Sequence, residues 1–230
     1  MRTKERYTMS SLDLLPFQGL EPAVQKEINK YTTHVTKKKG EAIYADDELT
    51  KYFYVLKQGK VKNYQLNLDN GKEQTLYIFR EGDMFDTVIL LDGEPHDVMY
   101  EVIEECELLE FPINFVRDLL WKYPEFNKRF YPYIAKQMRH MEEIATDMSL
   151  YSTAERLVKL IIQDRDRGNI FKYNILEGLS HSEVANLLGT VRHVVERHLK
   201  TLKEENLIDI KNKQIEILNT DRLLEKIKLI

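Results

Sequence analysis

The sequence has a single cysteine in 230 residues, Cys106, and no long apolar run. One thiol excludes a disulfide within the chain and any cluster held by several thiolates of one chain. No stretch approaches the roughly 18 apolar residues that a membrane-spanning helix needs. The N-terminal stretch MRTKERYTMSSLDLL also lacks the apolar segment of a secretory signal. These absences predict a cytoplasmic protein with no membrane partner.

Signatures of catalysis are also missing. The six histidines form no His-x-His pair, and only His34 and His96 lie in the part of the chain that has β-type patterning. Metal-dependent β-roll enzymes need two or three converging histidines and a carboxylate. The sequence contains no G-x-S-x-G, phosphate-binding loop or C-x-x-C motif. We therefore predict that the protein is not an enzyme and has no metal site or obligatory cofactor.

The composition is that of a globular protein, with 43% apolar and 31% charged residues. A chain of this length suffices for two domains, each with its own core. The net charge of -4 is unevenly distributed, because residues 151–230 hold 14 Lys and Arg against 12 Asp and Glu. The C-terminal part is thus mildly basic and the N-terminal part acidic. A basic part can bind phosphate if its cations share one face.

Short β-type runs fill the chain from Tyr31 to Phe111, where β-branched and aromatic residues alternate with charged ones. The runs are AIY, YFYVLKQG, KVKNYQLNL, EQTLYIF and CELLEF. Turn signals separate them at Gln58-Gly59, Asp69-Asn70-Gly71, Glu81-Gly82-Asp83 and Asp92-Gly93-Glu94-Pro95. This pattern predicts an antiparallel β-roll of the jelly-roll type, preceded by one or two short helices in residues 12–31.

A helical pattern follows Pro112 and carries a narrow apolar stripe. The stripe residues step by 4, 3, 4 and 3 positions, as in a coiled-coil seam: Ile134, Met138, Met141, Ala145 and Met148. Pro132 is expected in the first turn of this helix or at a break. Charged residues flank the stripe, which favours a parallel homodimer over packing of the stripe on its own chain.

Two capping boxes open helices in the C-terminal part, at Ser152–Glu155 and Ser180–Glu183. The first box places a hinge at residues 150–152. The predicted organisation is therefore an N-terminal β-roll domain over 1–123, a dimerisation helix over 124–150 and a winged helix-turn-helix domain over 151–230. The overall fold class is α+β.

The stretch HSEVANLLGTVRHVVERHLKTLKEENLI contains two amphipathic helices separated by Gly189. Thr190 is expected to cap the second helix through its hydroxyl. The predicted apolar face of that helix consists of Val191, Val194, Val195, Leu199 and Leu202. Its polar face carries Arg192, His193, Glu196, Arg197 and Lys200.

The polar face has the chemistry that a DNA major groove requires. Arginine near a helix N-terminus can form a bidentate contact with guanine, which predicts base reading by Arg192 and Arg197. His193 can donate to guanine or to phosphate, and Lys200 is better placed for phosphate. The same charges on a solvated face remain the alternative for this helix taken alone. A hairpin around Lys211-Asn212-Lys213 follows as a basic wing, and Thr220-Asp221 is expected to cap a terminal helix.

Most of the chain, from about residue 12 to 219, resembles the Crp/Fnr superfamily of bacterial transcription regulators. The N-terminal matches are KKKGEAIY, FYVLKQGKVKNY, NGKEQTLYIFREGDMF and ECELLEFP, and the C-terminal match is LSHSEVANLLGTVRHVVERHLKTLKEENLI. The resemblance implies a homodimer that binds double-stranded DNA at half-sites about one helical turn apart, with RNA polymerase as a further partner. By this matching, Arg192, His193 and Arg197 fall where family members read bases. The complete predicted DNA-binding set is Ser182, Thr190, Val191, Arg192, His193, Glu196, Arg197, Lys200, Lys211 and Lys213.

The effector pocket departs from the pattern of the family. Members that bind cyclic nucleotides carry a Gly-Glu pair after the GDxF-like turn and an Arg-Ser or Arg-Thr pair about ten residues later. This chain has Asp86-Thr87 and His96-Asp97 at those positions, beside Met84, and no arginine between Arg80 and Arg117. A phosphate there would meet negative charge without a bidentate donor. We therefore predict that the protein does not bind cyclic AMP.

Other effectors stay open. Haem could find an axial ligand among His96, Met84, Met99 and Cys106, as it does in some members of the family. Oxidation of Cys106 is a second alternative, although the alternation in CELLEF predicts a buried strand residue. A third is that no effector exists. The competing overall function is a ligand- or haem-binding sensor module whose helical tail contacts proteins instead of DNA.

Overall fold

A computed structural model describes residues 17–43, 48–166, 176–211 and 214–227. The chain forms two compact units, one of Met1–Asn63 and Ile78–Arg139 and the other of Tyr64–Tyr77 and His140–Ile230. The predicted division at 123 and 150 is a functional one and stays a prediction.

The described elements form a mainly β first half, which is followed by helices, a small β-hairpin and a terminal helix. In chain order they are α1 Pro22–Tyr31, β1 Thr33–Lys37, α2 Glu48–Lys51, β2 Tyr52–Leu66, β3 Glu73–Phe79, β4 Met84–Phe85, α3 Thr87–Asp92, β5 Met99–Pro112, α4 Ile113–Lys122, α5 Pro124–Leu150, α6 Thr153–Asp166, α7 His181–Leu187, α8 Arg192–Glu204, β6 Ile208–Lys211, β7 Gln214–Ile217 and α9 Thr220–Glu225. The predicted α+β fold with a helix before the β-roll is confirmed.

Five strands form one sheet in the order β1-β5-β2-β3, and β4 pairs with β2. Strand β1 is antiparallel to β5, with Val35 opposite Leu108, and β4 is antiparallel to β2, with Tyr54 opposite Phe85. The turn at residues 69–71 is confirmed, since Gly71 has φ +68° and the amide of Asn67 donates to Lys72 O at 2.9 Å. Gly82 likewise has φ +84°, which only glycine adopts without strain.

One predicted turn is wrong. Gln58-Gly59 was expected to separate the strands of YFYVLKQG and KVKNYQLNL. It lies instead inside the single strand β2, Tyr52–Leu66. Gly59 has φ +93°, and a Cβ at this position would lie 2.3 Å from the carbonyl oxygen of Glu105. The glycine therefore allows β5 to approach the backbone of β2 closely, which is a second common reason for glycine inside a strand.

The core of the first unit lies between the sheet and the helices α1, α4 and the start of α5. The ring of Phe17 is tilted against that of Phe111 and stacked on that of Phe126, with ring centroids 5.3 and 6.0 Å apart respectively. Phe126 and Phe130 are fully buried, so the first turns of α5 belong to this core. Each large apolar side chain buried in this way contributes about 1.5–3 kcal/mol, which anchors the start of α5 in this core.

Helix α5 is continuous over 27 residues, and Pro132 lies inside it. The expectation of a break or a first-turn position for Pro132 is therefore wrong. Pro132 is exposed, so its ring adds no clash with a packed neighbour. Proline in a helix interior removes one backbone hydrogen bond.

Both predicted capping boxes are confirmed. Ser180 accepts from the amide of Glu183 while the Glu183 side chain accepts from the Ser180 amide, and Ser152 and Glu155 form the same reciprocal pair. The terminal helix differs, because Asn219 is its N-cap and accepts from the amide of Arg222 at 3.0 Å. The predicted Thr220-Asp221 cap is wrong by one residue, and asparagine is as good a cap as aspartate.

Candidate functional site

The helix-turn-helix is held by short local contacts. After α7 the amide of Thr190 donates to Ala185 O at 2.9 Å, and Gly189 takes φ +62° to turn the chain. The guanidinium of Arg156 on α6 donates to Leu188 O at 3.0 Å. Helix α6 is thereby tied to the end of α7, immediately before the turn.

Helix α8 begins differently from the expectation. Its N-cap is Val191, which makes no side-chain cap hydrogen bond, so the predicted Thr190 cap is wrong. Val191 is also 50% exposed and does not join the apolar face to which it was assigned. A β-branched apolar residue that is exposed at a helix start is available to contact a ligand, and Val191 is among the predicted DNA contacts.

The rest of the apolar face is as predicted, with Val195, Leu199 and Leu202 buried and Val194 half-buried. Asn206 ends the helix with φ +54°, and the amide of Leu207 donates to Leu202 O at 3.0 Å in a Schellman-type closure. Burial of three side chains contributes several kcal/mol. The rotation of α8 about its axis is therefore fixed, and its opposite face meets solvent.

The exposed face of α8 carries the predicted base readers. Arg192, His193, Arg197 and Lys200 are exposed, and Ser182 is exposed at the start of α7. Among the described residues, His193 and Arg197 have no ion-pair partner, whereas Lys200 Nζ lies 3.7 Å from Glu204 Oε1. Thr190 is half-buried. The face thus presents two arginines, a histidine and a lysine within the first nine residues of the helix.

One acidic side chain lies among these cations. Glu196 Oε1 accepts from Arg192 Nε at 2.7 Å and contacts His181 Nδ1 at 3.2 Å. The hydrogen bond from Arg192 and the contact with His181 hold the pKa of Glu196 below its usual value. The sequence alone predicts no role for His181. Its contact with Glu196 joins two helices, so no spacing within one helix could have predicted it.

The wing is less basic than the sequence indicated. Strands β6 and β7 pair antiparallel from Ile208 opposite Ile217 to Lys211 opposite Gln214, while Lys213 lies outside the described residues. Lys211 Nζ lies 3.3 Å from Asp209 and 3.1 Å from Glu216. Hydrogen bonds from Lys203, the Ile210 amide and Lys211 lower the pKa of Asp209 to about 2. Lys211 would have to exchange these carboxylates for phosphate on binding DNA.

Side chains that the sequence predicts around an effector pocket form hydrogen bonds with other groups of the first unit. Asp86 is the N-cap of α3, and its Oδ1 accepts from the amides of Val88 and Ile89 at 2.8 and 3.4 Å. Its Oδ2 accepts from Tyr100 OH at 2.9 Å and contacts His96 Nε2. Asp86 and Tyr100 are buried. Burial, then the neighbouring carboxylate, raises the pKa of Tyr100 well above its usual value.

The remaining pocket residues make structural contacts. The amide and carbonyl of Met84 both bond Tyr133 OH, at 2.8 and 2.9 Å, and Thr87 Oγ1 donates to Gln137 Oε1 at 2.8 Å. Asp97 is exposed. Of the residues considered as haem ligands, Met84 and Cys106 are buried in the core. Burial raises the pKa of Cys106 to about 11. Within the described ranges, no group of three or more His, Cys, Asp or Glu could hold a metal ion.

The proposed dimer stripe divides into two groups. Met138 and Met141 are 61% and 44% exposed, and Ala145 is exposed as well. Ile134 packs against the core of its own chain, and Met148 is half-buried, with atoms close to Gly189. The exposed group is therefore Met138, Met141 and Ala145.

None of the helices in the described part of the chain is long and apolar enough to cross a membrane.

Comparisons with known proteins match both halves of the chain. Residues 34–123 match the family model of the cyclic nucleotide-binding domain, and residues 153–226 match that of the Crp-like helix-turn-helix domain. This pairing, with the β-roll and exposed helix described above, defines a DNA-binding transcription regulator. The chain belongs to the Crp/Fnr superfamily, as the sequence resemblance indicated.

Curated relatives match most of the chain, at sequence identities below 30%. The chain is 24% identical over 213 residues to a CRP-like cAMP-activated global transcriptional regulator of Mycobacterium tuberculosis, covering 91% of this chain and 95% of the relative. It is 29% identical over 171 residues to a global nitrogen regulator of Synechocystis, covering 72% and 76%. These relatives are named as regulators and not as enzymes, in agreement with the prediction.

Solved structures show the same fold. FixK2 of Bradyrhizobium japonicum superposes with a TM-score of 0.73 at 22% identity, covering 84% of this chain and 96% of that one. A CooA variant of Carboxydothermus hydrogenoformans superposes with a TM-score of 0.76 at 20% identity, covering 96% and 98%.

Proposed function

We propose that the protein binds a two-fold-symmetric DNA operator as a homodimer and reads its sequence with helix α8. The observation that carries the proposal is the exposed face of Arg192, His193 and Arg197, on a helix whose opposite face is buried. A helix anchored in this way presents the same side chains to every duplex, which direct readout requires.

The side chains take different roles. Arg192 and Arg197 contact guanine edges, and His193 donates to a base or a phosphate. Many family members have glutamate where this chain has His193. A carboxylate can only accept, as from cytosine, whereas a histidine can donate to guanine, so we expect the preferred operator to differ from theirs. Lys200 and Lys211 contact phosphate, with Lys213, Ser182, Thr190, Val191 and Glu196 completing the proposed surface.

The homodimer forms through the exposed group on α5. Met138, Met141 and Ala145 follow a spacing of 3 and 4, so they lie on one side of the helix and would face the same residues of a parallel partner helix. Two recognition helices related by the dimer axis then meet half-sites about one turn of DNA apart. In the proposed domain organisation, residues 1–123 form the effector-type domain, residues 124–150 form the dimerisation helix and residues 151–230 form the DNA-binding domain. RNA polymerase is the further partner that the family suggests.

DNA binding by this protein does not depend on cyclic AMP. The Mycobacterium tuberculosis relative is named as cAMP-activated, yet here Asp86 already uses the α3 amides, Tyr100 and His96. An entering phosphate would have to displace a buried carboxylate from four donors. Arg117 is not available to such a phosphate either, because it donates to Leu90 O and Ile89 O at 2.9 and 2.8 Å.

The test begins with selection of duplexes from a random-sequence library by the purified protein. Binding of the selected duplex is then titrated against salt concentration. The proposal expects a palindromic consensus and an affinity that falls steeply with salt, because phosphate contacts release counterions. Enrichment of no sequence at any salt concentration would overturn it in favour of a module that contacts proteins.

A further inference from the structure

Glu196 is an unusual companion for a base-reading arginine. It lies four residues after Arg192 on the exposed face of α8, and one of its oxygens binds both Arg192 Nε and His181 Nδ1. The side chains of Arg192, Glu196 and His181 are 66%, 40% and 44% exposed. A carboxylate on a surface that meets phosphate opposes binding by Coulomb repulsion. Glu196 therefore does not increase the general affinity of this face for DNA, and its position needs another explanation.

Helix stability is a weak reason. An ion pair at this spacing helps a helix more when the acid precedes the base, and here Arg192 precedes Glu196. Lys200 and Glu204 on the same helix have the same order and spacing, with 3.7 Å between Nζ and Oε1. The two pairs differ in geometry, because only Glu196 forms a hydrogen bond with its cation and also contacts a second helix through His181.

The hydrogen bond restricts the conformation of Arg192. A free arginine samples many rotamers, and each contact it forms requires some of that freedom to be lost. With Nε bound to Glu196, the guanidinium plane is held at one end, while the two terminal nitrogens keep four N–H donors for an acceptor pair. His181 holds the same carboxylate oxygen from α7, so the acceptor itself is less mobile.

We propose that Glu196 is a positioning residue for Arg192: its carboxylate, steadied by His181, presets the guanidinium so that the terminal nitrogens read guanine end-on. This inference rests on the proposed DNA-binding function. It predicts that loss of the carboxylate removes discrimination at one base pair per half-site and leaves discrimination elsewhere unchanged.

The experiment measures affinities for the duplex that the wild-type protein selects and for the set in which each base pair of a half-site is changed. The variants are Glu196→Ala, Glu196→Gln and Glu204→Gln. Glu204→Gln is the matched control, because it removes one negative charge from an exposed i,i+4 pair of the same helix. It should strengthen binding to all duplexes by a similar factor.

Glu196→Ala should lower discrimination about tenfold at the base pair that Arg192→Ala also affects, within the range of one bidentate contact. Glu196→Gln should keep most of that discrimination, since its amide oxygen can still accept from Nε. In an Arg192→Ala background, Glu196→Ala should cause no further loss. Thermal unfolding of each variant checks that α8 remains folded.

If Glu196→Ala shifts every duplex by the same factor as Glu204→Gln, the positioning role is overturned while DNA reading stands. A loss of discrimination by Glu196→Ala that persists in the Arg192→Ala background also overturns it, because the effect then does not pass through Arg192. If the wild-type protein discriminates between no duplexes, the proposed function fails, and the positioning role fails with it.

Discussion

In the first unit the buried carboxylate of Asp86 accepts from Tyr100 and contacts His96, whereas on α8 His193, Arg197 and Lys200 are exposed to water. The first region lies within the residues that match the cyclic nucleotide-binding domain model, and the second lies within those that match the helix-turn-helix model. A site whose polar groups are already paired within the protein gains little from an added anion, since each new contact replaces an existing one. Exposed cations that lack a strong partner gain directly from phosphate and bases. This difference agrees with the proposal that the protein recognises DNA without binding a cyclic nucleotide.

The largest effect should come from breaking the network in the first unit. Asp86→Ala leaves two α3 amides, Tyr100 OH and His96 without their acceptor, so the free energy of unfolding should fall by about 3–5 kcal/mol. Urea denaturation measures this change. Asp97→Ala is the control, because Asp97 is exposed and its loss should cost less than about 0.5 kcal/mol. Equal stability of both variants would contradict the structural role of Asp86.

The second effect concerns α8. Arg192→Ala should weaken binding to the selected duplex by about 1–3 kcal/mol and relax the preference at one base pair per half-site. Lys200→Ala should weaken all sequences similarly and reduce the salt dependence, because it contacts phosphate. Fluorescence anisotropy on a series of base-substituted duplexes separates the two patterns. Identical behaviour of both variants across the series would show that the assigned roles are wrong.

The third effect concerns the dimer. Met141→Glu places like charges across the proposed interface of α5, so the dimer dissociation constant should rise about tenfold or more. Sedimentation equilibrium measures it. Thr146→Glu adds the same charge to the same helix at an exposed position away from the stripe, and this variant should remain dimeric. A Met141→Glu protein that stays as dimeric as Thr146→Glu would remove α5 from the interface.

The smallest effect concerns Cys106. Its pH dependence tests whether Cys106 is a buried strand residue or a reactive thiol that could act as a redox sensor. Burial raises its pKa to about 11, so the native state keeps the thiol proton at a pH where the unfolded chain, with a pKa of about 8.5, releases it. Stability from this group is therefore fully present below about pH 8.5 and is lost progressively as pH rises from there to the folded pKa of about 11. From pH 7 to 9 the wild-type protein should lose up to about 1 kcal/mol more than Cys106→Ala in urea denaturation. An equal pH dependence of the two proteins would show that the thiol ionises in the folded state.

Local patterns in the sequence predicted the C-terminal part well. Capping boxes depend on residues three apart, so Ser152 and Ser180 marked their helices correctly, and the 3.6-residue period identified the buried face of α8. The errors there were single positions at helix ends. Val191 and Asn219 cap the helices in place of their neighbours, because several residue types are acceptable at an N-cap.

Long-range contacts account for what the sequence did not predict. Gln58-Gly59 has the residue types of a turn. The role of Gly59 is to let β5, more than 40 positions away in the sequence, approach β2 closely. The pocket substitutions at Asp86 and His96 were visible in the sequence, but their bonding to each other and to Tyr100 required the fold. The same holds for the Glu196 contact with His181, and for Ile134 and Met148, which pack on their own chain although they share the spacing of the exposed group.

The most direct test of the whole account is one titration of the library-selected duplex with wild-type protein, at fixed salt, with and without millimolar cyclic AMP. The account predicts tight, sequence-dependent binding that is the same in both titrations, because α8 is already exposed and Asp86 already occupies the donors of the effector region. A protein that binds the duplex tightly only after cyclic AMP is added, or that prefers no duplex under either condition, would contradict it.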